Sequence, residues 1–474
     1  MNTAAEGRAR LTLTAIAGII SKNQDDSDHY INEMLFALRH RGTQKETMSI
    51  RATESIIALG CGSVDQLDSR FSHSSKSIVA LDGSLYKVIE SNQARYLLTA
   101  LAQDRRPMSA LGGYSVVFAR LTRLSAFRDI NGLKPLYFSR RDGVAAIASE
   151  RKALWKIGFD ETERILPGYL YTFSPRTIRR TCITKFTRPR ERRISIDSAA
   201  SKLQALLIRS MRAILKGSSH VAVGFSGGLD SAVTAAIAKR LCKNVELVSV
   251  GLSGSPELQN VEKYAKQLDL PITIQTFNPD TLEDSVKRVI WLIEESNLMK
   301  VSVAIPLHWA AMLAARRGHK IMLCGQGSDE LYGGYYKYAK ILDSRGSKAL
   351  ATALYHSVLD ASLVNYERDD QATSPSGVEI RTPFANPDLI RFSLTIPTEH
   401  KVKKGDDLVR KWVLRAAAKK LALPEEMIWR RKKAIQHGTG VENEIRRLAR
   451  KQGFTTEAYL NQIYRYISRT QPMP

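Results

Sequence analysis

Cysteine is scarce: four in 474 residues (Cys61, Cys182, Cys242 and Cys324), with no C-x-x-C pair and no clustered histidines. That excludes a disulfide framework and a structural zinc site of the usual spacing, and makes a reducing compartment, the cytoplasm, the expected home. Long apolar runs are missing too. No stretch approaches the ~18 consecutive apolar residues of a membrane span, so an integral membrane protein is not expected. Glycine (29) and proline (16) are ordinary in number, which excludes collagen-like and low-complexity chains. The length fits two or three domains with sizeable cores.

Acidic residues are in deficit, 47 against 71 Lys+Arg, for a formal net charge of +24. Such a surface suits a polyanion such as nucleic acid, or small anions such as ATP. The densest basic clusters, 176–180, 188–193 and 430–433, lack interleaved aromatics, so no nucleic-acid module is identified and the second reading is favoured. Arg8 and Arg10 ahead of an apolar run over 11–20 outline a short signal peptide. The same run reads as a buried first strand, and the pattern of the downstream residues decides for the strand.

Two halves differ in rhythm. Up to about residue 186, short strand-like runs (56–59, 77–81, 114–121, 144–148, 169–173) are separated by turn signals and interrupted by one amphipathic helix over 29–38. Residues 187–193, Thr-Arg-Pro-Arg-Glu-Arg-Arg, read as a basic linker, and a helix over 198–215 opens the second half. From Val221 the pattern alternates: strands at 221–225, 245–250, 272–277 and 320–324, helices at 232–241, 258–268, 282–295 and 307–317. Alternation of this kind predicts a parallel sheet covered on both faces, with a helical remainder. No internal repeat is present.

Directly after the first strand of the second half stands Ser226-Gly-Gly-Leu-Asp-Ser231, running into a helix. Glycines permit a tight turn and close approach to a ligand, and the free N–H groups of loop and helix start form an anion site. Ser226 and Ser231 add hydroxyls, and Asp230 adds a carboxylate suited to Mg²⁺ on phosphates. A Ser/Gly-rich turn alone is commonplace; at the carboxyl end of a buried strand it reads as a ligand loop. A second loop, Gly325-Gln-Gly-Ser-Asp-Glu330, ends the strand over 320–324 in the same way. Spacing alone leaves open whether Asp230 and Asp329 meet.

These residues carry a resemblance. Ser226–Ser231 resembles the pyrophosphate loop of the ATP-pyrophosphatase superfamily, and the wider context is similar to the asparagine synthetase family. The Ser-Val-Gly after the loop is matched at 249–251, and Gly-Glu-Gly-Ser-Asp-Glu-Leu-Phe-Gly-Gly-Tyr at 325–335, with Gln326 and Tyr332 as differences. Gly-x-Glu-x-Arg-x-Pro-Phe is matched at 377–384 and Trp-Arg-x-Lys at 429–432. The resemblance implies a two-step synthesis: ATP and aspartate give an acyl-adenylate and pyrophosphate, and ammonia displaces AMP to give asparagine. It implies that Ser226, Gly227, Gly228, Asp230 and Ser231 hold pyrophosphate, that Ser328 belongs to the ATP site, that Asp230 and Asp329 hold Mg²⁺, and that Val250 and Gly325 border the adenine. Lys432 would place its ammonium near the reacting centre. Glu379 is either a base or the partner of Arg381. Gln326, a glutamate in the family, hydrogen-bonds but cannot take a proton, which puts the proton acceptor or the nucleophile in question.

The first half resembles a class II glutamine amidotransferase domain, through Ala17-Gly-Ile19, Leu38-Arg-His-Arg-Gly42, Leu81-Asp-Gly-Ser-Leu-Tyr86 and the run 128–137. Such enzymes use a mature N-terminal cysteine as nucleophile; here Thr14 takes its aligned place. The oxyanion-hole asparagine becomes Asp82, the glutamine-gripping glutamate Ser84 and a further aspartate Gly112, while Arg41 remains. The expected fold is an α+β β-sandwich of the N-terminal-nucleophile type over 12–186 with a degenerate glutaminase site, a linker over 187–197, and an α/β domain with a doubly wound parallel sheet and helical C-terminal part over 198–474. Ammonia would come free or from a separate glutaminase subunit. A homodimer is left open, and so are another acyl substrate and a non-catalytic partner role.

Overall fold

A computed structural model describes residues 13–22, 24–51, 55–64, 67–88, 92–103, 111–255, 258–403, 409–430 and 435–469. The chain forms two compact units, one ending at Lys185 and the other opening at Phe186.

The first unit is a pair of six-stranded antiparallel sheets. In one, Thr14–Ser21 lies between Ile56–Ser63 and Val144–Ala148, and all eight of its residues are buried. Ile16 and Ile20 point into the core between the sheets, against Val117 and Leu124. Ala15, Ala17 and Ile19 point the other way and pack with Ile31, Met34 and Leu35 of the helix Gln24–Ala37. Successive residues of a strand face opposite sides, so a strand covered on both faces must be apolar throughout. That is why the run over 11–20 resembles a secretion signal; its residues up to 12 lie outside the described set. The second sheet, in which Ser77–Leu85 pairs with Gly112–Arg120, is covered by the helix Gln93–Ala102, giving four layers.

The second unit holds a five-stranded sheet in the order Ile272–Phe277, Asn244–Leu252, His220–Gly224, Ile321–Leu323, Glu379–Arg381, with every neighbouring pair parallel. Helices come after each of the first strands, and the chain from Tyr336 onward is mostly helical.

Two expectations need correction. The helix expected from residue 307 begins at Leu298 and runs unbroken to Arg316 with Pro306 inside it. Proline normally marks a helix start or a break; here both turns flanking it are buried, so tertiary packing rather than local propensity carries the helix through. Among the described residues this helix alone is long and apolar enough to cross a membrane, and 72% of its apolar window is buried inside the protein. The basic stretch expected to act as a linker is not free. Arg192 N donates to Thr395 O (2.8 Å), Glu191 accepts from Thr398 N (3.3 Å) and Ile194 O meets His400 Nε2 (2.8 Å), which fastens it along the second unit.

Candidate active site

The parallel sheet changes direction of winding at His220–Gly224, whose neighbours on its two sides are Asn244–Leu252 and Ile321–Leu323. In open α/β sheets the crevice for a ligand opens outside the carboxyl ends of the strands at such a point. Both expected loops leave the sheet there. Residues 225–228 turn into the helix Leu229–Leu241, with Gly227 at φ +66° and Gly228 at the N-cap. Ser226 and Ser231 hydroxyls lie 3.3 Å apart, and Ser231 Oγ donates to Gly228 O (3.0 Å), so the hydroxyls brace the turn. The Ser249 hydroxyl donates to Phe225 O, and Val250 follows it in the strand Asn244–Leu252. Gly325 begins the second loop where a side chain has no room: a Cβ there would lie 2.6 Å from the Cβ of Asp230.

Asp230 and Asp329 do meet. The Lys411 ammonium lies 2.5 Å from Asp230 Oδ2 and 2.6 Å from Asp329 Oδ1, and Ser328 Oγ donates to Asp230 Oδ1 (2.7 Å). Two carboxylates converging on one cationic point form an all-oxygen donor set. Mg²⁺ is commonly held by one or two carboxylates completed by substrate phosphates, so the pair fits that ion. No larger metal-binding group of His, Cys, Asp and Glu occurs among the described residues. Lys411 is only 3% exposed, in left-handed backbone conformation (φ +58°) at the start of the helix Trp412–Lys420. Arg430 completes the cationic wall: its NH1 donates to Ser226 O (2.9 Å) and its guanidinium lies over the Tyr264 ring.

On the other side of the second loop, half-buried Gln326 is anchored through its carbonyl, which accepts from Thr382 Oγ1 (2.6 Å). Its side chain faces Asp369, a carboxyl 2% exposed whose Oδ1 accepts from Arg368 Nε (2.8 Å) and NH2 (2.6 Å). Burial pushes the Asp369 carboxyl above its ordinary range, against the pull of Arg368 and Gln326. Burial likewise pushes the neighbouring Cys324 thiol up to about 12, with Asp369 adding to the effect. Glu330 is also raised by burial and by adjacent Asp329, while Tyr335 and Asn365 donate to its Oε1 (2.6 and 2.8 Å).

Glu379 is not brought to this cluster. It pairs with Ile321 at the amino end of the parallel sheet, and its Oε2 takes Arg381 NH2 at 2.6 Å. That placement favours its ion-pair role over a catalytic one. Lys432 lies outside the described residues. Lys411, Arg430 and Asp369 are site residues that sequence reasoning missed. Arg430 stands inside the Trp429–Lys432 motif and could have been read from it; Lys411 and Asp369, in runs of charged residues, gave no distinguishing signal.

In the first unit the residues aligned with a glutaminase site also converge, but on each other. Thr14 N and Oγ1 both donate to Asp82 Oδ1 (3.1 and 3.0 Å). Arg41 reaches Thr14 O, Asp82 Oδ2 and Glu150 Oε1, each at 2.9 Å. Thr14, Arg41, Asp82 and Glu150 all have zero exposure. Burial opposes ionisation of Glu150, yet Lys152, His40 and Arg41 together hold it well below the usual carboxylate range. At Gly112 a Cβ would lie 2.3 Å from Ser84 O, so no aspartate fits there. Cys61, opposite Ile16 in the sheet, has its thiol pushed far up by burial.

A family model described as Asparagine synthase matches residues 202–357 and 342–465. The chain is 29% identical to a "Putative asparagine synthetase [glutamine-hydrolyzing] 1" of Methanocaldococcus jannaschii, over 94% of this chain and 96% of that protein. It is 29% identical over 66% of its length to "Asparagine synthetase [glutamine-hydrolyzing] 2" of Oryza sativa subsp. japonica, and spans 55% of that relative. Among solved structures, a glutamine phosphoribosylpyrophosphate amidotransferase from B. subtilis overlaps 55% of this chain and 65% of its own at TM-score 0.31 and 14% identity. An NMN synthetase from Francisella tularensis overlaps 59% of this chain and 99% of its own at TM-score 0.30 and 13% identity.

Proposed function

We propose, since the chain belongs to the asparagine synthase family, that its second unit activates the side-chain carboxylate of aspartate with ATP and that ammonia converts the acyl-adenylate to asparagine. The observation that carries this reading is the convergence of Asp230 and Asp329, from two separate strand exits, on one cationic point beside the glycine loop. A carboxylate is a poor electrophile because its leaving group would be oxide; joined to AMP, the same carbon has a good one. In the first step a carboxylate oxygen attacks the α-phosphorus and the bond to pyrophosphate breaks. The loop N–H groups around Gly227 and Gly228 receive the departing negative charge, with Lys411 and Arg430 supplying positive charge beside them. Asp230 and Asp329 would hold Mg²⁺, which neutralises phosphate charge when bound. In the second step ammonia adds to the acyl carbon, the surplus proton on nitrogen passes to water, and the bond to AMP breaks with its electron pair leaving on the AMP phosphate. Lys432 is assigned to the reacting centre by its motif.

The nitrogen in this proposal arrives as ammonia, free or from a partner glutaminase. Glutamine hydrolysis at Thr14 would need a free α-amino group as base and an open pocket. The Thr14 nitrogen is instead a mid-chain amide given to Asp82, and the Asp82 charge opposes an oxyanion in the place where a donor is needed. The test is AMP and pyrophosphate release by the purified chain with Mg-ATP and aspartate, run with ammonium and then with glutamine. Release with ammonium alone is expected. Glutamate formed from glutamine in step with AMP would refute the ammonia assignment, and silence with both would refute aspartate as the acid.

A further inference from the structure

Amide formation from ammonia requires an acceptor for an N–H of the incoming nitrogen. The carboxylates around the crevice have partners: Asp230 and Asp329 with Lys411, Glu330 with Tyr335 and Asn365. Asp369 differs in facing the Gln326 side chain. Its Oδ1 takes both guanidinium bonds from Arg368, while its buried Oδ2, like Glu330 Oε2, makes no well-formed hydrogen bond. The Arg368 guanidinium works against burial at this carboxyl and favours its anionic form, which accepts only. A carboxamide has one donating and one accepting end, so beside such a carboxylate its NH2 must turn inward and its oxygen outward. The Gln326 main chain is pinned by Thr382, which leaves the side-chain torsions alone to decide this orientation.

Resting on the amide-synthesis reading above, we infer that Asp369 is a positioning residue for nucleophile capture. Its carboxylate draws the Gln326 amide nitrogen toward itself and presents Gln326 Oε1 to the crevice, where it accepts an N–H of ammonia. The charge lies one layer behind the contact atom, so the crevice offers a neutral acceptor in place of a carboxylate. Gln326 touches the nucleophile; Asp369 acts through it.

The experiment separates the two half-reactions in the full-length chain. Aspartate-dependent exchange of pyrophosphate into ATP reads adenylation, and the KM for ammonium at saturating Mg-ATP and aspartate reads capture. Asp369→Asn offers Gln326 a donor as well as an acceptor, so the orientation is lost. Exchange should stay within about twofold while the ammonium KM rises about tenfold, one hydrogen bond's worth. Adding Gln326→Glu to that variant should restore the KM, because a carboxylate accepts whichever way it turns; a merely structural Asp369 would not be rescued this way. An unchanged ammonium KM with exchange intact, or a double variant no better than Asp369→Asn, overturns the inference. Should Asp369→Asn not fold, Gln326→Leu alone must show the same KM rise, and an unchanged value overturns the inference equally. Absence of exchange in the wild-type chain places the failure in the aspartate reading, and this inference falls with it.

Discussion

Replacing Lys411 with methionine isolates the electrostatics of the site. The ammonium lies within 2.6 Å of one oxygen of each carboxylate, with side-chain exposures of 3% for Lys411, 18% for Asp230 and 11% for Asp329. The two oxygens are therefore no more than about 5 Å apart, and at an effective dielectric near 20 their repulsion is about 3 kcal/mol once the cation is gone. Removing one partner of a buried ion pair costs about 3–5 kcal/mol in general, which agrees. At roughly 2–4 °C per kcal/mol, the unfolding temperature of the second unit should fall by roughly 6 °C or more. Mg²⁺ should then restore most of the loss, because it re-supplies a cation to the same oxygens, and should stabilise the variant more than the wild type. Scanning calorimetry of both proteins with and without millimolar Mg²⁺ measures this. A variant as stable as wild type, or one indifferent to Mg²⁺, would refute the claim that the two carboxylates form a single cation site.

Two further outcomes are expected elsewhere. Lys401 is buried, and burial lowers its amine from 10.5 to about 8 despite Glu191. A base with a depressed folded pKa withholds stability below about pH 8, and the wild type regains it as pH rises toward 10.5. Lys401→Met should therefore be more stable at pH 7, by up to about 3 kcal/mol, with a flat profile across that window; a variant less stable than wild type at pH 7 contradicts this. In the first unit, Arg41→Leu removes the guanidinium paired with buried Asp82 and leaves Glu150 to His40 and Lys152, and should destabilise that unit by about 3–5 kcal/mol in denaturant titrations. A loss under about 1 kcal/mol would mean the network does not hold the pocket closed.

How much of the molecule is legible in its sequence depends on which forces leave a local trace. The strand Thr14–Ser21 was legible because burial on both faces forces a continuous apolar run. The loops at Ser226 and Gly325 were legible because the turn and the tight approach to Asp230 restrict residue choice. Edge strands were not: Gln44–Arg51 and Ile178–Cys182 lie at the sheet margins, bury little, and carry mostly polar residues. Pro306 misled because only the surrounding core reveals that the helix continues through it. Lys411 and Asp369 were invisible for the same reason in another form: a lysine among basic residues and an aspartate beside an arginine look solvated until the fold buries them. Glu379 stood out by motif, yet its position at the far end of its strand was knowable only from the register with Ile321.

The bridge between Asp230 and Lys411 spans 181 residues of sequence. Lys411 is therefore the last of the three charged partners to be synthesised. Wherever the two strand exits come together before Lys411 docks, Asp230 and Asp329 lack their counter-charge, so refolding of the chain should be more sensitive to magnesium than the stability of the finished protein is.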